Sequence, residues 1–246
     1  GCTLFEVTDG VMTLNYDQTV VRKLWDNYYV PFLKGYFYSG GRFRSDDVKT
    51  GNIIAYVGST SSSSFFPSQV VTSDTESHDI QRVVRCSGGE KTTPYSRGAG
   101  MVVTKASEAE IQASVEFLKW FTLPEHNIAF SVDSGYLPVT KAGNNMEAIR
   151  SSGLDVTEEM DQLLTTALDT VNSHQMYTQT AFSGAADARR MLEHAMSDRA
   201  EADRAAVNER MEQGQSFDQA AEEFLSDDYF QSWYQETLTA LQAFED

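Results

Sequence analysis

The chain has 246 residues, 41% of them hydrophobic and 22% charged, which is enough for one large core or two small ones. A net charge of −17 argues against nucleic-acid binding, because displacing phosphate counterions needs clustered Lys and Arg. No uninterrupted apolar run approaches the ~20 residues that a bilayer requires, and the opening GCTLFEVTDG lacks the basic start and apolar stretch of a secretory signal.

The acidity reads as solubility carried on exposed helix faces. An anionic ligand would need Arg or Lys focused in one cleft. Cys2 and Cys86 give neither a disulfide framework nor a metal spacing. The Gly-Cys start reads as ordinary residues, with a lipid-modified N-terminus as the alternative.

In chain order, VMTLNY predicts a short strand. DQTVVRKLWDNYYVPFL predicts a helix with Asp17 as N-cap, Val20, Val21, Leu24 and Tyr28 on its buried side, and Pro31 as its stop. A glycine-punctuated loop, GYFYSGGRFRSDDVKTG, leads to NIIAYVGS, an apolar run with the pattern of a buried strand. A serine-rich loop, TSSSSFFPSQV, follows. DIQRVVRCSGGEK predicts a strand and turn, and GMVVTK another strand.

Ser107 and Glu110 have the spacing of a capping box at the head of EAEIQASVEFLKWFT, whose Ile111, Val115, Leu118 and Phe121 repeat on one face. Pro124 opens a second helix that Gly135 closes. Beyond Asn144 the sequence predicts helices only, with Ser216 and Gln219 as a further capping box and Gly214 as a helix end. Strands early and helices late, joined by a βα unit, give the class α/β.

Catalytic signatures are missing. The sequence has no phosphate-binding G-x-x-x-x-G-K-[ST], no H-E-x-x-H, no C-x-x-C and no G-x-S-x-G. His78, His126, His174 and His194 lie far apart and read as surface or capping residues. Asp46 and Asp47 read as salt-bridge partners of Arg42 or Arg44 rather than metal ligands. Met191, Met196 and Met211 read as core or boundary residues.

VKTGNIIAYVGSTSS, then SRGAGMVVTKASEAEIQASVEFLKWFTLPEHNIAFSVDSGYLPVTKA, then a helical tail, resembles the second half of an extracellular solute-binding protein. These are the capture components of ABC importers, and the likeness is to the group of glycerol-3-phosphate-binding and maltose-binding proteins. It runs from about Thr13 to the C-terminus and is most specific between Gly98 and Lys141.

The resemblance implies a periplasmic-binding-protein-like (type II) fold of two α/β lobes, truncated here, with a mostly helical C-terminal half. Residues 1–92 would belong to the second lobe, 93–143 would cross to the first, and 144–246 would return. On this resemblance the chain would lack the part that forms most of the first lobe's sheet. Val115 and Leu118 would therefore lose their cover, leaving this segment repacked, paired in a homodimer, or supported by a rearranged lobe.

The ligand would be a sugar or a glycerol-phosphate-type solute, bound without metal or organic cofactor and delivered to the ABC permease. The place of work would be the periplasm or the extracellular face of the membrane, with a lipid anchor in the full-length protein. The resemblance puts Ser59, Thr60, Ser61 and Ser62 at the ligand as hydroxyl and amide donors. It places Gly98 where backbone approaches closely, Tyr136 as a stacking and hydrogen-bonding ring, and Arg189 as a phosphate fork. The motif FSGAADARR around Arg189 departs from the family pattern, and Arg190 is adjacent; Tyr177 and Phe182 could line the same wall. Two rival readings are an enzyme fragment acting on carbohydrates or phosphate esters through Asp46 and Asp47, and an interaction module built on the acidic helical tail.

Overall fold

A computed structural model of the chain describes residues 2–38, 40, 43–73, 76–79 and 98–245. A hairpin of β1 (Phe5–Thr8) and β2 (Val11–Leu14) leads into α1 (Gln18–Leu24), a π-helical turn (Trp25–Tyr29) and α2 (Val30–Leu33). Next come α3 (Arg44–Lys49), a 3-10 turn (Thr60–Phe65) and a second hairpin, β3 (Gln69–Ser73) with β4 (Glu76–Asp79). The rest is helical: α4 (Glu108–Phe121), α5 (Pro124–Ser134), α6 (Met146–Arg150), α7 (Glu158–Ser173), α8 (Ala185–Glu212), α9 (Phe217–Ala221) and α10 (Asp227–Gln242). The chain divides into two compact units, Gly1–Ser39 with Gln179–Asp246, and Gly40–Thr178. We call them units 1 and 2.

Unit 1 starts with a hairpin whose turn is Asp9-Gly10, both at positive φ, and whose register pairs Thr8 with Val11. Positive φ at both central residues matches the twist of the flanking strands, which is why Asp-Gly is favoured there. The hairpin seats Phe5 and Met12 against Ala188 of α8 and Leu241 of α10.

Asp17 caps α1 by accepting from the Val20 amide at 2.9 Å, as its sequence position predicts. The buried side differs from the expected one. Val21, Trp25, Tyr29, Phe32 and Leu33 enter the core, whereas Val20, Leu24 and Tyr28 are exposed. The π turn explains the shift, for the Val30 amide reaches back five residues to the Trp25 carbonyl. That turn holds more residues than an α turn, so positions spaced by four stay in line. It also accommodates Pro31, which lies within α2 instead of stopping the helix.

The core of unit 1 is aromatic. Trp25 stacks on Tyr29 with ring centres 3.6 Å apart and meets Trp233 at 4.7 Å and Phe230 at 5.5 Å. Small residues, Ala200 on α8 and Ala220 and Ala221 on α9, admit these rings closely. Buried within the layer, the Asp203 carboxylate accepts from the hydroxyls of Tyr29 at 2.6 Å and Tyr229 at 2.7 Å. Arg199 reaches Tyr229 at 3.2 Å and Glu236 at 2.8 Å, extending the network outward. Met191 and Met196 pack against the two clusters, while Met211 is exposed.

Unit 2 closes around Ile128 and Val132 of α5, Ile149 of α6, and Leu164 and Leu168 of α7. Thr157 caps α7 through the Met160 amide. The capping boxes at Ser107/Glu110 and Ser216/Gln219 form, Pro124 opens α5, and Gly135 closes it at φ +71°.

Three strand expectations need separate treatment. Residues of NIIAYVGS form no strand: Ile54 and Val57 are exposed, and Tyr56 is anchored by its ring against Phe66 and its hydroxyl on the Ser62 carbonyl at 3.1 Å. GMVVTK is likewise extended but unpaired, for an apolar run becomes a strand only where another strand completes its ladder. Apart from the last residue of β4, DIQRVVRCSGGEK lies outside the described residues, as do Cys86 and Arg42. The described strands form two antiparallel hairpins, and the other regular elements among the described residues are helical.

The expected core face of α4 is also corrected, since none of its residues is buried. Phe117 and Trp120 are 50% and 49% exposed. The helix leans on α5 through Trp120 against His126 at 4.2 Å and Phe121 against Phe130 at 5.2 Å. Across a shallow groove of about 440 Å³, Met101 and Val102 face Phe117 and Leu118.

Candidate functional site

The serine-rich run forms a 3-10 turn because its hydroxyls close it locally. Ser59 caps the turn, the Ser62 hydroxyl donates to the Ser59 carbonyl at 2.6 Å, and the Ser59 and Ser61 hydroxyls lie 3.0 Å apart. The turn lies against the end of α5. A Cβ built on Gly135 would stand 3.0 Å from the Thr60 carbonyl oxygen, and the Ser64 hydroxyl donates to the Ser134 carbonyl at 3.4 Å.

Gly135 thus has two reasons to be glycine, its left-handed backbone and this close approach. Gly135→Ala is expected to lose about 1–2 kcal/mol from the backbone conformation alone and to push the serine turn away from α5. Thermal unfolding of unit 2 checks it; an unchanged midpoint would contradict the close packing.

The Gly-Tyr-Leu-Pro turn is fixed from beneath. Buried Asn127 accepts from the Val139 amide at 2.7 Å, and Asn144 donates to the Pro138 carbonyl at 2.6 Å. Tyr136 follows Gly135 directly; its ring lies 5.9 Å from Phe130, and the residue is 37% exposed. Of the residues expected at a site, Ser59, Thr60, Ser61 and Ser62 and the Gly135–Tyr136 step therefore meet within unit 2. Gly98, also in unit 2, is exposed with open space around its Cα. Arg189 belongs to unit 1, on α8, exposed and donating to the Gln179 side chain at 3.3 Å.

Sequence reasoning missed a polar groove in unit 2. Its open volume is about 920 Å³, walled on one side by Ser63, Ser64 and Phe66, on the other by Arg150 and the first turns of α7. Arg150 holds Asp161 with both carboxylate oxygens engaged, Nε to Oδ1 at 2.6 Å and Nη2 to Oδ2 at 2.7 Å, and Nη2 also reaches the Thr165 hydroxyl at 3.2 Å. That fork holds the Asp161 carboxyl below the usual carboxylate range. Arg150 and Asp161 are eleven residues apart on different helices, so no local spacing announces the pair.

The remaining candidates have local partners. Asp47 pairs with Arg44 at 3.1 Å and Asp46 with Lys49 at 3.0 Å, within α3 instead of a loop. His174 caps α7, and His194 lies 3.2 Å from Asp198. Among the described residues, no group of three His, Cys, Asp or Glu could hold a metal ion, and no helix is long and apolar enough to cross a membrane.

Compared with known proteins, residues 5–153 match the family model described as bacterial extracellular solute-binding protein. No curated protein and no solved structure matches the chain. The match covers more than half of the 246 residues, and its family has a periplasmic-binding-protein-like fold and binds solutes for ABC import without acting as an enzyme. The chain belongs to the bacterial extracellular solute-binding proteins.

Proposed function

We propose that the chain captures a sugar or a glycerol-phosphate-type solute and that the whole protein delivers it to the membrane permease of an ABC importer. Ser59, Thr60, Ser61, Ser62 and Tyr136 are the unit 2 contacts in this reading, with Gly98 and, from unit 1, Arg189 as further contacts. The observation that carries it is the serine turn held against Gly135, which sets short hydroxyls beside a part-exposed tyrosine. Hydroxyls and aromatic faces together suit a polyhydroxylated solute.

In the whole protein, closure of two lobes around the solute would be the signal to the permease. We place it on the outer side of the membrane, held by a lipid anchor. The ion pairs that occupy Asp46 and Asp47 weigh against the enzyme reading, which needs two carboxylates facing one cleft.

Thermal unfolding with a panel of oligosaccharides, polyols, sn-glycerol-3-phosphate and glycerophosphodiesters tests the proposal. A bound solute at a hundred times its Kd is expected to add about 2.7 kcal/mol. A folded chain that none of the panel stabilises would count against it.

A further inference from the structure

The groove of unit 2 carries more chemistry than packing requires. Arg150 is half-exposed and turns two nitrogens toward Asp161; its third, Nη1, makes no hydrogen bond among the described residues. The Asp161 carboxylate takes one bond per oxygen from Arg150 and a further one from the Thr165 side chain, which leaves it room for one more donor. Fixed donor and fixed acceptor therefore lie side by side on one wall. A pair of neighbouring hydroxyls matches that arrangement, since each hydroxyl both accepts and donates.

The charges of the groove separate the two solute classes left open above. Among the described residues, Asp133, Glu158 and Asp161 line it beside one guanidinium, which Asp161 already neutralises. A phosphate would enter the negative field of the remaining carboxylates. A neutral polyol pays no such electrostatic cost, and Phe66 adds an apolar surface for the carbon face of a sugar ring. Ser63 and Ser64 continue the serine turn onto the opposite wall, joining the groove to the contacts already proposed.

We propose that the Arg150–Asp161 pair in the unit 2 groove binds vicinal hydroxyls and selects a neutral polyol or sugar over its phosphorylated counterpart. This deepens the solute-capture reading and rests on it.

Saturation-transfer NMR reads weak binding directly, with maltose and sorbitol as neutral probes and sn-glycerol-3-phosphate as the anionic one. At least one neutral probe is expected to bind the chain more tightly than sn-glycerol-3-phosphate does. Arg150→Lys keeps the charge but loses the fork, and Asp161→Asn keeps the shape but loses an acceptor; each is expected to weaken the neutral probe tenfold or more. Circular dichroism verifies that both variants remain folded. Glu158→Lys is expected to raise sn-glycerol-3-phosphate affinity several-fold.

If a neutral probe binds and both pair variants leave its affinity unchanged, the groove assignment is overturned while solute capture stands. Tighter binding of sn-glycerol-3-phosphate than of either neutral probe overturns the selectivity. Silence from every probe overturns both readings.

Discussion

Trp25→Ala is expected to remove about 3–5 kcal/mol from unit 1. The side chain is 2% exposed and touches Tyr29, Phe230 and Trp233 at once, so its loss leaves a cavity that rigid rings cannot refill. Against a typical domain stability of about 5–15 kcal/mol, that is a large share. The thermal midpoint of unit 1 should fall by more than about 10 °C, given roughly 4–8 °C per kcal/mol for a domain near this size. The paired control is Leu24→Ala. Leu24 is 56% exposed, and its replacement should stay within about half a kcal/mol. Equal effects from the two would mean that the helix faces the core as its α period predicts, without the π turn.

The second large effect is alkaline. Burial pushes the Tyr29 hydroxyl far up, reinforced by its bond to the Asp203 carboxylate. Tyr229 is raised by burial and by the same carboxylate, Tyr16 by burial, and Tyr234 by burial and the nearby Asp17 charge. All four belong to unit 1. An unfolded tyrosine ionises near pH 10. Above that pH the unfolded chain has released protons that the folded chain still holds, so stability falls as pH rises.

This contribution is fully present below about pH 10 and is lost progressively toward the raised folded values. Tyr29 alone implies about 1.4 kcal/mol lost per pH unit in that range. Absorbance of ionised tyrosine should therefore show at least these four tyrosines lagging and then titrating together with loss of near-ultraviolet dichroism. Reversible titration of every tyrosine near pH 10 with the fold intact would contradict the buried network.

Legibility in the sequence followed the range of the interactions. Caps were readable because their partners lie three residues away, as at Ser107 with Glu110 and Ser216 with Gln219. The same held for Gly135, where one φ angle decides the residue. Asp9-Gly10 between alternating residues was a readable hairpin signal too, and it identifies β1, which the strand expectation at VMTLNY left out.

The apolar runs at NIIAYVGS and GMVVTK were misleading for one reason. Such a run records a preference for cover, while a strand depends on a partner elsewhere in the chain. The site divides in the same way. The serine turn and Tyr136 were named as candidates from the family likeness, whereas Arg150 and Asp161 meet only after α6 and α7 have packed.

The π turn after α1 has a consequence for how this chain can vary. It acts as a phase slip between two helical stretches, so the residues before Trp25 and those after Tyr29 keep separate alignments to the core. A one-residue deletion among 26–28 would restore an ordinary α turn and leave Phe32 and Leu33 close to their present alignment, because the surplus residue is what the wider turn absorbs. Elsewhere in the helix the same deletion would leave the surplus turn in place and misalign one flank. Length changes in related chains should therefore concentrate at this turn.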